Sequence, residues 1–592
     1  MPVRRRGALR VLAHTGAAAA LPALAAPAAA QQGDTPATPL ATSAPPPEIL
    51  ALNRMGYGPR PGEAGRVAAM GLDAYIDEQL SPGADPECQA KLDAARLRIR
   101  YGATASYSAR DEAAPLGLLG SSVAELWPRA DWATPLDWAE RTRPWDEVRV
   151  ATLIRAVYSR WQLQELLVEF WHNHFSVSSF ANIEIAATFP AYDRLIRQHC
   201  LGNFRAFLEE VAKSVAMMYS LDNVSNRAAG GEGGNENFAR ELLELHTLGS
   251  DNYLKFYDDR QGVGTTTYGG ETFARGYIDD DVYEAARCFA GWTVANGHWE
   301  RPTLDDGSFL YVPAWHDTSP KMVLSTDGRT NIPRNQPDMK DGRDVLDLLT
   351  RHPGTARNLC TKLCRRLVSD TPPQSVVDTA VAEWMAARSA PDQIKRVVRV
   401  ILRSAEFRAS WGQKVKRPFE AMVSYLRATG AELRLSDEDN ATASYWGNIF
   451  FRLGETGQRI FDWPTPTGHP DVASYWLSTN GMLRRWNMAP FLSEGGTWGG
   501  NAALDLRAQT NAAVPGGSVT QIVDYWIGRL CGYEITPAVR QELIAFLAQG
   551  GDTGQPPRPT PRAPDWGNDA AITERIACTV QLLAMSPDYQ YR

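Results

Sequence analysis

The ionisable side chains best suited to chemistry are concentrated in two predicted helices. In the first, WQLQELLVEFWHNHF (161–175), Glu165, Glu169 and His172 are spaced i, i+4 and i+7 and so share one helical face. A carboxylate and a neutral imidazole one turn apart can bind a transition metal together. The Glu169-x-x-His172 spacing matches that of di-iron carboxylate bundles, but those bundles need a second Glu-x-x-His, which this sequence lacks.

Two histidines near the end of this helix are candidate catalytic and metal-binding residues. His172 and His174 are two residues apart, so on a helix they point about 200° apart and cannot chelate one ion. In extended backbone both rings would lie on one side, and a metal pair would become possible if the helix ended after Trp171. The alternative is structural: one histidine caps the helix C-terminus, where positive charge is favourable, and the other packs in the core.

The second helix is predicted in NENFARELLELHTLG (235–249), ending at Gly249. Glu241 and Glu244 share one stripe, and Arg240 is close enough to pair with Glu244. His246 lies off that stripe, so a His–Glu site needs the two helices packed side by side. The alternative is a solvated face of ion pairs.

Together, the two helices predict one site with shared members. Its catalytic candidates are Glu165, His172, His174 and Glu241; Arg240 is a candidate substrate-binding residue; and the candidate ligands of a divalent metal are His172, His174 and His246.

Two further groups of candidates lie in predicted loops. His316 and Asp317, followed by Lys321, could supply a general base and its orienting carboxylate. Trp463 and Trp476 could stack on sugar rings as substrate-binding residues, although core packing also explains them. The sequence contains no GxSxG, HExxH, P-loop or dinucleotide-binding motif.

Composition and the N-terminus limit the possible functions. The chain has 592 residues and a net charge of −7, with no basic run beyond the N-terminus, which argues against nucleic-acid binding. Residues 1–30 are predicted to be a signal peptide, with Arg4–Arg6 followed by an Ala-rich apolar stretch, and export by the Sec or the twin-arginine route is expected. Residues 31–46 are predicted to be a disordered linker. No later apolar run reaches the roughly 20 residues of a membrane span.

The mature chain is predicted to be all-α: a large multi-helix body with long Gly/Pro/Trp-rich loops. Apolar residues at helical spacing dominate, and strand-like alternation is nearly absent. We expect one helical domain over 47–592, with an inserted surface loop near 250–276. The seven cysteines are scattered and odd in number, which favours buried free thiols over a disulfide framework.

Several successive motifs resemble those of the bacterial domain-of-unknown-function 1800 family. They are LNRMGYGPRPGE, FWHNHFSVSS, ENFARELLELHTLG, DDVYEAARCFAGW, WHDTSPKMVL, LLTRHPGTARNLCTKLCRRLV and VKRPFEAM, and they run from about residue 50 to the C-terminus. The sequence departs from the family pattern at Asp462 and His469, where glycine and an aromatic residue are expected. The resemblance implies a helical fold, an envelope location and a secreted sulfatase-like companion as a partner. It implies no particular reaction.

Two hypotheses follow from the sequence. The first is an exported hydrolase, with or without the help of a divalent metal, that acts on an envelope or extracellular polymer. The second is a non-catalytic envelope scaffold that binds the sulfatase-like companion, with the acids and Arg240 forming a polar network that fixes helix packing. The arrangement of His172, His174 and His246 distinguishes them, because only converging rings could hold a metal.

Overall fold

Helices dominate the computed structural model of this protein, at 56% of residues against 8% in strands, which confirms the predicted helical fold class. The structure describes residues 44–228, 234–255, 260–438, 444–493, 502–558 and 568–592. The predicted signal peptide and most of the predicted linker lie outside these residues. No helix in the described ranges is long and apolar enough to cross a membrane.

The α-helices, in chain order, are α1 Pro47–Arg54, α2 Glu63–Met70, α3 Leu72–Gln79, α4 Pro86–Ala94, α5 Val123–Leu126, α6 Trp138–Tyr158, α7 Gln162–Phe175, α8 Ile183–His199, α9 Phe204–Lys213, α10 Val215–Ser220, α11 Asn237–Glu241, α12 Asp279–Phe289, α13 Lys340–Arg351, α14 Pro353–Leu367, α15 Gln374–Ala386, α16 Gln393–Arg403, α17 Ala405–Arg408, α18 Pro418–Thr429, α19 Tyr445–Glu455, α20 Ala473–Trp476, α21 Thr479–Trp486, α22 Met488–Ser493, α23 Leu506–Ala513, α24 Val519–Leu530, α25 Pro537–Ala548, α26 Asn568–Met585 and α27 Pro587–Gln590.

The strands form small antiparallel pairs beside the helices. They are β1 Arg96–Tyr101 with β2 Arg110–Pro115, β3 Thr265–Tyr268 with β4 Glu271–Ala274, β5 Trp292–Asn296 with β6 Asp305–Tyr311, and β7 Glu432–Leu433 with β8 Ala502–Ala503. The sequence did not reveal these pairs, because strands of two to seven residues are too short to show a clear alternation.

Helix α7 lies in the core between α6 and α8. Leu163, Leu166, Leu167 and Phe170 recur at helical spacing, which predicts an apolar stripe that faces the core, and all four are buried. Burying one such side chain contributes about 1.5–3 kcal/mol, so the four together fix the orientation of α7 in the core. The helix continues to Phe175 and ends at Ser176 in a left-handed conformation, so it does not end after Trp171 as the metal-pair alternative required.

The second key segment differs from the continuous helix predicted over 235–249. Only α11 is α-helical there; a π-helical turn, Leu242–His246, follows it. Gly249 adopts a φ of +88° and its amide bonds to the carbonyl of Leu243, but the helical segment already ends at His246, so the predicted end at Gly249 is wrong by three residues. The turn packs against α7, and the two segments therefore lie side by side as expected.

The region 250–276 is more ordered than the predicted surface loop. It contains the β3–β4 hairpin, and Arg260 is buried within it. A guanidinium nitrogen of Arg260 lies 3.2 Å from the carboxylate of Asp281, which is also buried. Since a buried charge needs a partner, this ion pair anchors the segment against the start of α12.

The irregular segment 461–476 docks onto the C-terminal end of α7. The side-chain amide of Asn173 donates to the carbonyl of His469 at 2.9 Å, and its oxygen accepts from the His469 amide at 2.6 Å. Ser176 donates to the Thr465 carbonyl at 2.9 Å. Gly468 has a φ of +74°, and a Cβ there would lie 2.2 Å from the Asn173 carbonyl oxygen, so this close approach requires glycine.

The seven cysteines are free thiols, six of them buried, in agreement with the prediction. Cys360 and Cys364 share a face of α14 and are not bonded to each other.

Candidate functional site

A histidine–carboxylate pair lies where α7 crosses α8. The Nε2 of His172 is 3.1 Å from the Oδ1 of Asp193, and both side chains are buried. Arg197 donates to the other carboxylate oxygen at 2.9 Å. Burial alone would raise the pKa of Asp193, but Arg197 and the hydrogen bond from His172 hold it well below its ordinary value. Because the carboxylate only accepts, Nε2 of His172 carries a proton and Nδ1 is left as the basic nitrogen.

His174 takes part in a different set of contacts. Its Nε2 lies 3.2 Å from the carbonyl of His246, so this nitrogen is the donor and Nδ1 holds the lone pair. The Nζ of Lys362 lies 3.4 Å from Nδ1 and donates at 3.0 Å to the carbonyl of Leu245. Burial and the charge of Lys362 lower the pKa of His174 well below its ordinary value. The same causes lower the pKa of His246 to about 3, so both rings are neutral at pH 7.

The three predicted metal ligands do not converge. The ring of His172 contacts Asp193 and Phe461, whereas the rings of His174 and His246 lie with their centroids 6.0 Å apart. Within the described residues, no group of three or more His, Cys, Asp or Glu side chains is arranged to hold a metal ion. The predicted metal triad His172–His174–His246 is therefore wrong: His172 and His174 lie two positions apart on α7 and face different surroundings, and only His174 lies next to His246.

The predicted acids of the two helices also serve separate partners. Glu165 accepts two hydrogen bonds from Arg197, at 3.0 and 2.9 Å, and lines neither of the cavities described below. Arg240 pairs with Glu236 and Asp279. Burial and the neighbouring Glu244 raise the pKa of Glu241, but neither Glu241 nor Arg240 lines these cavities. The predicted acids Glu165 and Glu241 therefore do not join the imidazoles in either cavity.

His316 and Asp317 do not form the predicted base–carboxylate pair, because each side chain has a different partner. Asp317 accepts from Arg287 at 2.6 Å and faces away from the imidazole of its neighbour. The Nε2 of His316 instead lies 3.1 Å from Asp341, whose carboxylate also binds the buried Lys321 at 2.6 Å. Adjacent residues in an extended segment point to opposite sides, which explains why sequence proximity was misleading here.

The two tryptophans differ in their access to solvent. Trp463 is half-buried, with its ring centroid 4.6 Å from that of His469, and it lines a cavity. Trp476 is only 4% exposed and donates to the carbonyl of Pro470 at 2.8 Å. Trp476 therefore packs in the interior and cannot stack on a sugar as predicted, whereas Trp463 can.

Two cavities adjoin α7 and share Glu169, Asn173 and His469 in their walls. The smaller cavity, about 40 Å³, is lined by His172, Phe461 and Trp463 among others. It has room for at least one water molecule, which needs about 10–15 Å³. The larger cavity, about 280 Å³, lies towards α14 and includes His174 and Lys362.

A buried charge network closes the inner side of the larger cavity. Glu420 lies at its centre, bonded to Arg592 at 2.9 Å and to the guanidinium groups of Arg366 and Arg417. The same two arginines bind Glu169, Arg366 at 3.2 Å. These opposite charges hold the pKa of Glu420 well below its ordinary value, although burial alone would raise it. Arg366 and Arg417 are thus each held by two carboxylates.

The residues that the sequence reasoning missed come from distant parts of the chain. They are Asp193, which contacts His172, and its partner Arg197; the cavity-wall cations Lys362, Arg365, Arg366 and Arg417; and Glu420, which binds two of these cations. Two of the motifs that carry the family resemblance, LCTKLCRRLV and VKRPFEAM, contain the last five of them. Asp193 and Arg197 are spaced i, i+4 on α8, which is a weak signal for an ion pair.

Comparison with known proteins gives one match. The family model described as "Protein of unknown function (DUF1800)" matches residues 50–591. The resemblance inferred from the ordered motifs is therefore confirmed. Neither a curated protein nor a solved structure matches the chain significantly.

Proposed function

The chain belongs to the DUF1800 family, whose description names no activity, and from that premise we propose that it is an exported hydrolase. Its substrate is an envelope or extracellular polymer, bound in the two adjoining cavities beside Glu169. The basic N-terminal residues Arg4–Arg6 and the apolar stretch that follows them support export.

The His172–Asp193 pair beside the smaller cavity is the observation that carries this proposal. Hydrolysis requires a water molecule and a base that can take its proton. The cavity has room for the water, and Asp193 keeps His172 in the tautomer whose Nδ1 can accept that proton. The hydroxide oxygen then bonds to the electrophilic atom of the substrate, and the imidazolium returns the proton to the leaving oxygen.

The larger cavity supplies space for the part of the substrate next to the bond that breaks. Because Glu169, Asn173 and His469 line both cavities, a unit bound in the larger one lies directly beside the proposed water site. Trp463, half-buried at the smaller cavity, offers a ring face on which a sugar could stack.

Turnover of a polymer panel by the purified protein tests this function. The panel contains neutral, uronate-bearing and sulfated polysaccharides, and released reducing ends and ester groups are measured. His172→Gln and Asp193→Asn should each lower turnover by roughly 10²-fold or more, the usual contribution of a positioned base. Circular dichroism checks that each variant is folded.

The matched control is His199→Gln on α8, a histidine that lines neither cavity. It should keep full turnover. Full activity of folded His172→Gln would contradict the role of the pair, and a polymer that binds without being cleaved would contradict hydrolysis.

The alternative function is a non-catalytic envelope scaffold that binds a secreted sulfatase-like companion. The observation that favours it is the mutual neutralisation of Glu169, Glu420, Arg366 and Arg417, since such networks also serve only to fix helix packing. Co-purification with the companion, together with no turnover of any polymer, would support this alternative.

A further inference from the structure

We propose that the larger cavity is an anion subsite that takes a sulfate, phosphate or carboxylate group carried by a saccharide unit. The inference rests on the proposed function for the identity of the polymer, but the anion itself is inferred from the cavity wall alone. The wall is formed by α7, α14, Arg417 and the segment 467–472.

The charge of the wall is the first argument. Among its lining residues, cations outnumber carboxylates by four to two: Lys362, Arg365, Arg366 and Arg417 against Glu169 and Asp471. The histidine His174 is neutral and does not alter this balance. Arg366 and Arg417 are paired with Glu169 and Glu420, so the positive charge open to a ligand is that of Lys362 and Arg365. This charge attracts an anion and repels a cationic ligand, because a partly buried site screens charge weakly.

The hydrogen bonds of Lys362 are the second argument. An ammonium group has three N–H donors, and two of them are directed to the Leu245 carbonyl and to Nδ1 of His174. The third N–H is left for a ligand in the cavity that Lys362 lines. The neutral His174 therefore positions the ammonium without adding a competing charge.

The orientation of the arginines is the third argument. Glu169 and Glu420 hold Arg366 and Arg417, so little side-chain entropy is lost when a ligand binds. Guanidinium groups bind oxyanions through paired N–H donors, and both arginines line this cavity.

The size of the cavity selects the rest of the ligand. About 280 Å³ is close to the lower end of small-molecule pockets and exceeds what a single inorganic oxyanion fills. Asn173 and Thr467 add neutral polar groups to the wall, which suit hydroxyl groups. A saccharide unit that carries one acidic group matches both the volume and the lining.

Isothermal titration of the folded mature protein tests the subsite without any turnover. The probes are sodium sulfate, phosphate, acetate and glucuronate, each at constant ionic strength against chloride. At least one should bind more tightly than chloride. Lys362→Met should weaken that binding roughly tenfold or more, because it removes a charged hydrogen bond from a buried site. Lys362→Arg keeps the charge and should stay within severalfold of the original protein.

The matched control is Arg357→Gln on the same helix, an exposed arginine paired with Asp378 outside the cavity. It should leave the dissociation constant unchanged within twofold. The proposal is overturned if no probe binds better than chloride, or if folded Lys362→Met binds as tightly as the original protein.

The result is separable from that of the hydrolase test. Anion binding without turnover of any polymer supports the subsite and removes hydrolysis; turnover of a neutral polymer without anion binding removes the subsite and keeps hydrolysis. Tighter binding of sulfate than of acetate indicates a sulfated unit, tighter phosphate indicates a phosphorylated unit, and tighter glucuronate indicates a uronate.

Discussion

Anion affinity should fall steeply between pH 7 and pH 9, because Lys362 binds the anion only in its charged form. Burial, with a smaller contribution from Arg365, lowers the pKa of Lys362 to about 8. The apparent dissociation constant scales with the reciprocal of the charged fraction, so a pKa of about 8 raises it by roughly 10% at pH 7 and roughly tenfold at pH 9. A bound anion stabilises the ammonium and shifts the midpoint upward.

The neighbouring groups allow this titration to be assigned to Lys362. Both histidines near Lys362, His174 and His246, have lowered pKa values and are already neutral at pH 7. The charged groups that face it across and along the cavity are Arg365, Arg366, Arg417, Glu169 and Asp471. Arginine stays protonated through this range, and the pKa of Asp471 is held below its ordinary value by Lys414 and Arg366 against the effect of burial.

Sulfate is the appropriate probe, since it does not titrate in this range whereas phosphate does. Titrations at pH 7, 8 and 9 should give a rising dissociation constant for the original protein. Lys362→Arg should give a nearly constant one, because a guanidinium group remains charged. A constant value for the original protein, or an equal rise in Lys362→Arg, would refute the assignment of the charge to this lysine.

Two substitutions test the frame of the site by urea unfolding. Glu420→Gln should destabilise the protein by about 3–5 kcal/mol, because it leaves the buried Arg592 without its carboxylate partner and Arg366 and Arg417 with one carboxylate fewer. Glu455→Gln, at an exposed ion pair, should cost at most about 1 kcal/mol, and equal losses would contradict the reasoning. Gly468→Ala should lower both stability and turnover, since its Cβ would clash with the Asn173 carbonyl. Gly412→Ala, at a similar φ with nothing within 4 Å of its Cβ, measures the backbone cost alone, about 1 kcal/mol. A loss of stability in Gly468→Ala no larger than that in Gly412→Ala would refute the clash.

The elements that sequence reasoning identified correctly are those determined by local periodicity. The apolar stripe of α7 repeats every three to four residues, so its burial could be predicted from the sequence. A positive φ at Gly249 could be predicted because few other residues adopt one easily, although the helical segment ends three residues before it. The π-helical turn at Leu242–His246 could not be predicted, because its sequence has the same period as an ordinary helix.

The site depends on contacts that no local pattern encodes. His172 was identified from its residue type, but its partner Asp193 lies 21 residues away on another helix. Arg417 reaches Glu169 across 248 residues of chain. The pairing His316–Asp317 was wrong for the complementary reason: adjacent positions gave proximity along the chain, while the fold supplied Asp341 from α13. Residue types therefore indicated the candidate imidazoles, and only the tertiary structure assigned their partners.

Glu169 links the two halves of the proposed site. Its carboxylate lies in the wall of both cavities and is held by Arg366 and Arg417, the same cations that would receive an anion in the larger one. An anion bound there would compete with Glu169 for the guanidinium groups of Arg366 and Arg417. The less neutralised Glu169 carboxylate would then be a stronger hydrogen-bond acceptor towards the smaller cavity. A water molecule next to His172 would then be oriented only when the acidic unit of the polymer is in place. In the proposed hydrolase, recognition of the anion and activation of the water would then depend on one carboxylate, which would restrict hydrolysis to a correctly bound substrate.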